Sequence, residues 1–114
     1  MIPRVLLAGL AALVLAAPSS AAAKTCNIAS VQRKLGPTYV TSLQVSHVSC
    51  TGGKALVRAY YRCRKANGGV KGTCRHAHGY SCREKRTSIR TQFSAKVTCR
   101  SGTREVLHTY TQFT

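Results

Sequence analysis

TGGKALVRAYYRCRKANGG, residues Thr51 to Gly69, is the stretch whose reading decides the fold. Leu56, Ala59, Tyr60 and Cys63 recur at i, i+3, i+4 and i+7, the spacing that puts apolar side chains on one face of a helix. Lys54, Arg58, Arg62 and Lys65 fall on the other side, where their charged ends stay in water. Ser49 or Thr51 is placed to cap the start. Asn67-Gly68-Gly69 supplies residues that tolerate the left-handed conformation in which many helices end. A helix with one apolar face needs a partner layer, and Cys63 on that face can tie it there covalently.

The flanking sequence offers strands for that layer. Upstream, Tyr39 to Val48 (YVTSLQVSHV) alternates with period two, so Tyr39, Thr41, Leu43, Val45 and His47 are expected to face the helix. Lys24 to Pro37 before it is expected to be mostly irregular, with Ile28, Val31 and Leu35 lining a short turn and Cys26 pinning the segment. Downstream, Gly68 to Gly79 carries no period and is expected to be a loop stapled by Cys74.

Three strands are predicted to follow. His78 to Arg83 would place His78, Tyr80 and Cys82 on one face. Phe93 to Cys99 alternates most cleanly, with Phe93, Ala95, Val97 and Cys99 inward. Arg100-Ser101-Gly102-Thr103 makes a hairpin turn into Glu105 to Phe113. In that last strand Val106, His108 and Tyr110 alternate with Leu107, Thr109 and Thr111, and the pattern leaves both faces open. The order β-α-β-β-β predicts an α+β domain, one amphipathic helix packed on a largely antiparallel sheet of about four strands and braced by disulfides.

The N-terminus has a separate signature. Arg4, the apolar run Val5 to Ala17, Pro18-Ser19-Ser20 and Ala21-Ala22-Ala23 match the parts of a cleaved signal peptide, expected to span residues 1–23. Residues 24–114 then form a single small disulfide-rich domain bound for the cell envelope or the medium. All six cysteines (Cys26, Cys50, Cys63, Cys74, Cys82 and Cys99) lie in it. An even count in a short exported chain implies three disulfides, each contributing roughly 2–4 kcal/mol. Of the possible pairings, Cys63–Cys74 is expected because it closes the loop that leaves the helix.

Charge is the feature that bears most on function. Without Arg4, the 18 Lys and Arg become 17, set against Glu84 and Glu105, a net +15 with no Asp anywhere. Such a balance draws a protein to anionic polymers and surfaces in a salt-dependent way. The leading expectation is a non-enzymatic domain that binds an anionic partner (a cell-envelope polymer, nucleic acid or a lipid surface) through Arg58, Arg62, Lys65, Arg83, Lys85 and Arg86. Arg64 and Arg90 extend the two basic clusters, and Tyr60, Tyr61 and Tyr80 lie among them. Tyr60 and Tyr80 are expected in the core, while Tyr61 suits either core or stacking.

The same residues bear on other chemistries. Cys74, His76, His78 and Cys82 are ligand types for zinc or copper, but C-x7-C is not a familiar zinc spacing and exported thiols are consumed as disulfides, so neither metal nor cofactor is expected. The alternative to binding is a ribonuclease-like enzyme or cationic toxin. His47, His78 or His108 would then act as acid and base, Glu84 as a second base, and Arg83 or Lys85 as the cation for the phosphorane charge. A protease inhibitor presenting loop 67–79 is a third class. Serine hydrolysis lacks its motif and any Asp. The run VSC…ALVRAYYRC…GYSC…FSAKVTCRSG resembles small exported actinobacterial domains of unassigned function. That resemblance implies the fold and export and brings no site residues.

Overall fold

The computed structural model describes residues 23–114, so the expected signal peptide, residues 1–23, lies outside the described residues but for Ala23. The elements are β1 (Lys24–Thr25), β2 (Tyr39–Ser46), α1 (Cys50–Ala66), β3 (His76–Ala77), β4 (Tyr80–Ile89), β5 (Gln92–Ser101) and β6 (Arg104–Phe113). A 3-10 turn, Gly69–Lys71, follows the helix. All six strands join one sheet in the order β1-β2-β6-β5-β4-β3, with every pairing antiparallel. The fold is thus the expected α+β arrangement of one helix on an antiparallel sheet, with six strands in place of about four. The two extra strands, β1 and β3, are two residues long and too short to show a period.

Helix α1 forms where its pattern requires. The Ser49 hydroxyl accepts a hydrogen bond from the Gly52 N–H at 3.0 Å, and Asn67 closes the other end through bonds to the Cys63 and Arg64 carbonyls. Leu56, Val57, Ala59 and Tyr60 are buried against the sheet, while Arg58, Arg62 and Lys65 are exposed on the far side. Gly53 lets the helix come close, since a Cβ there would sit 2.7 Å from Val45 Cγ1.

The sheet turns one face to the helix. Its rows, read across the strands, are Val45–Val106–Cys99–Cys82, Leu43–His108–Val97–Glu84 and Val40–Tyr110–Ala95–Arg86. The phase of β2 therefore differs from the expected one. The register slips between Val40 and Ser42, and this bulge at Thr41 turns Val40 inward with Leu43 and Val45 in place of Tyr39 and Thr41. His47 lies beyond the strand, exposed and at φ 57°. His78 likewise sits in the β3–β4 turn at φ 48° and not in a strand, and β4 runs on to Ile89.

Three disulfides fasten these parts: Cys26–Cys50, Cys63–Cys74 and Cys82–Cys99. The first ties the N-terminal segment to the first residue of α1. The second holds the helix end to the loop before β3, as expected. The third links directly opposed residues of β4 and β5. With all six cysteines paired, the fold suits an oxidising environment. Among the described residues no helix is long and apolar enough to cross a membrane.

Candidate functional site

The strands carry charged residues on both faces, and the two faces treat them differently. On the helix side of β4 stand Glu84 and Arg86. The Glu84 carboxylate accepts hydrogen bonds from the hydroxyls of Tyr60 (2.9 Å) and Tyr110 and from Arg86 Nε. Burial, reinforced by the Glu84 carboxylate, pushes both phenols well above their usual range, so they stay protonated donors. Arg86 also donates to the carbonyls of Lys71 and Gly72, which holds the turn after α1 against the sheet.

Two further polar side chains are sealed into this layer. Arg64, expected in a cationic cluster, is instead fully buried: its guanidinium lies 4.5 Å from the Tyr110 ring centroid and donates to Val70 O at 3.0 Å and Gln112 Oε1 at 3.3 Å. It sits one helical turn beyond Tyr60, at i+4, and so shares its inward face. His108 is 1% exposed, edge-on to Tyr60 and stacked on Tyr110, and neither ring nitrogen has a hydrogen-bond partner. Burial, helped by the Arg64 charge, lowers its pKa to about 3, so the ring is neutral at physiological pH. This layer is a closed polar core.

Among the described residues no helix covers the opposite face. There β4 presents Ser81, Arg83 and Lys85, and β5 presents Lys96, Thr98 and Arg100, which together line a shallow groove of about 370 Å³. Ser81 is opposite Arg100, Arg83 opposite Thr98, and Lys85 directly opposite Lys96. Like charges in that cross-strand position destabilise a sheet. No carboxylate relieves the pair. Of the two in the chain, Glu84 is on the other face and Glu105 is bonded to Arg100 at 2.8 Å. Beyond the cations the face is paved with hydroxyls, Thr41 and Ser42 bonding Thr109 and Ser94 bonding Thr111.

The six cations expected to act together are spread over three surfaces. Arg83 and Lys85 lie in the groove. Arg58, Arg62 and Lys65 are on the outer side of α1, with the sheet between them and the groove. Arg86 is engaged by Glu84 and two carbonyls. The groove adds Lys96 and Arg100, which sequence reading passed over because they are isolated in the chain; the strand register gathers them.

The histidines are not brought together either. His47 and His78 lie at the same end of the sheet but three to four strand spacings apart, roughly 14–20 Å, and His108 is inside the core. The thiols of Cys74 and Cys82 are both in disulfides, which leaves His76 and His78 without them. Among the described residues no group of three or more His, Cys, Asp or Glu converges. Tyr61, half-buried, packs its ring against Gly36. No family model, curated protein or solved structure matches this chain.

Proposed function

We propose that the protein is an exported, non-enzymatic domain that binds an anionic partner on the open face of its sheet. The observation that supports this reading best is Lys85 directly opposite Lys96, flanked by Arg83 and with no carboxylate near enough to offset the pair. A sheet that served only packing or solubility would gain stability by placing a threonine or glutamate at either position. An anion between the two ammonium groups turns that repulsion into binding. The concavity and the hydroxyl rows beside it add hydrogen-bond donors that a diffuse positive coat lacks. Three disulfides and the N-terminal pattern of residues 1–23 agree with action outside the cytoplasm. The partners in view remain an envelope polymer, nucleic acid or an anionic lipid surface.

The test is a salt series of polyanion binding by the oxidised protein. The groove variant Arg83→Ser with Lys85→Thr and Lys96→Thr is expected to lose most of the affinity and to flatten the salt slope. The helix variant Arg58→Ser with Arg62→Ser and Lys65→Ser is expected to change both little. The reverse result would move the site to the helix. RNA cleavage that disappears in His78→Ala would replace binding with catalysis.

A further inference from the structure

The groove occupies only one end of the open face, and the other end has a different character. Tyr39, set opposite Thr111, shares that face with Phe113, and the two rings meet edge to face at 6.0 Å. Phe113 is 52% exposed and its cross-strand neighbour on β5 is Gln92, with Ile89, 64% exposed, next in the row. Between this row and the Lys85–Lys96 row runs the band Thr87, Ser94 and Thr111. Four residues of strand separate Lys85 from Ile89, so cations and aromatics are about 13 Å apart along the strands.

We infer that the anionic partner is a glycan: a chain of sugar rings bearing sulfate, phosphate or carboxylate groups, lying along the strands. Its anionic groups sit over Lys85 and Lys96, its hydroxyls over the exposed Thr87 and Ser94 of that band (Thr111 is buried beneath it), and a ring rests on Phe113 beside Tyr39. This inference rests on the binding reading above and gives it a ligand class. The hydroxyl band favours a polyhydroxylated chain over a lipid surface, which would bring acyl chains or head groups to a polar floor. Single-stranded nucleic acid takes successive aromatic platforms, one base to each, whereas this face has a single aromatic pair. An exposed Phe113, set against a half-buried Tyr39 on a cationic face, also has no role for a partner recognised by charge alone.

Calorimetric titration of the oxidised protein at low salt separates these cases, with dextran sulfate as the anionic glycan and inorganic polyphosphate as a ringless polyanion. Phe113→Leu keeps apolar bulk without the ring and is expected to weaken dextran sulfate about tenfold while leaving polyphosphate within about twofold. Phe113→Tyr is expected to retain the affinity, which guards against a mere folding effect. Lys96→Thr should weaken both ligands. If Lys96→Thr acts but Phe113→Leu leaves dextran sulfate unchanged, the glycan inference fails and the binding reading stands. If Lys96→Thr affects neither ligand, the binding reading itself fails. Phe113-dependent binding of oligouridylate or phosphatidylglycerol vesicles, tighter than that of dextran sulfate, would overturn the glycan in favour of RNA or membrane.

Discussion

The two faces of β4 make opposite use of the same residue types. Arg83 and Lys85 point into an open groove without a counter-charge, while Glu84 and Arg86, one position along from each, face the helix and bond to one another. Inside, the charged groups have partners, Glu84 with Arg86 and two tyrosines and Arg64 with Val70 and Gln112, while the neutral His108 has none. Outside, two lysines are held face to face. The positive charge of this chain therefore has two parts. Part of it, Arg64 and Arg86, is bound into the structure and does not reach a ligand, and most of the rest is exposed, on the outer side of the helix as well as in the groove where Lys85 stands opposite Lys96.

The largest expected effect lies on the inner face. Glu84→Ala strips the buried Tyr60 and Tyr110 hydroxyls of their acceptor and half-buried Arg86 of its counter-charge, so it is expected to destabilise by roughly 3–5 kcal/mol in urea unfolding. A loss under about 1 kcal/mol would mean that the inner layer is no more integrated than the outer.

Acid tests the same layer through His108. Its folded pKa, about 3, is below the unfolded value near 6.5. The unfolded chain therefore takes up the proton first, and stability that is fully present above pH 6.5 is lost as pH falls toward 3. At pH 5 the loss from this group is about 2 kcal/mol. His108→Leu, which also removes two unpartnered nitrogens, is expected to be neutral or stabilising at pH 7 and to make the fall between pH 6.5 and 5 shallower by about that amount. An unchanged acid slope would show that His108 is not the group held neutral.

A closer contrast compares neighbours of equal charge. Arg86→Ser breaks bonds to Glu84 and to the turn at Lys71–Gly72 and is expected to destabilise by about 1.5–3 kcal/mol. Arg83→Ser, on the open face, is expected to stay within about 0.5 kcal/mol of the parent. Equal losses would erase the distinction between the faces.

Sequence reading found the parts whose signals are local. The helix was legible from its apolar spacing and its Ser49 cap, and the inward set Phe93, Ala95, Val97 and Cys99 from clean alternation. Cys63–Cys74 followed from loop closure. The phase of β2 was not legible because the bulge at Thr41 breaks period two. The sequence pattern ends β4 at Arg83 because Arg-Glu-Lys-Arg reads as a charged surface run, although its alternate members Glu84 and Arg86 are half-buried on the helix side. The burial of Arg64 was masked in the same way, by exposed Arg62 and Lys65 on either side of it.

A signal for the site was nevertheless present. The two-residue connection Arg90-Thr91 pairs Ile89 with Gln92, so once Phe93 is inward the pairing sets Glu84 and Arg86 inward and Lys85 opposite Lys96. The turn at Gly102-Thr103 likewise places Val106 opposite Cys99 and resolves β6. Residues that are distant in sequence became one groove through hairpin register, which composition and charge runs do not carry.

The smallest expected effect lies on the open face, at the lysine pair. For Lys96→Thr, stability and polyanion affinity are measured on the same preparation. Relief of the Lys85–Lys96 repulsion is expected to raise stability by about 0.2–1 kcal/mol, while affinity for dextran sulfate and its salt dependence both fall. A variant that becomes more stable and binds less well shows that the repulsion is held in place for a ligand. A variant that is less stable, or that binds the polyanion as before, contradicts the account.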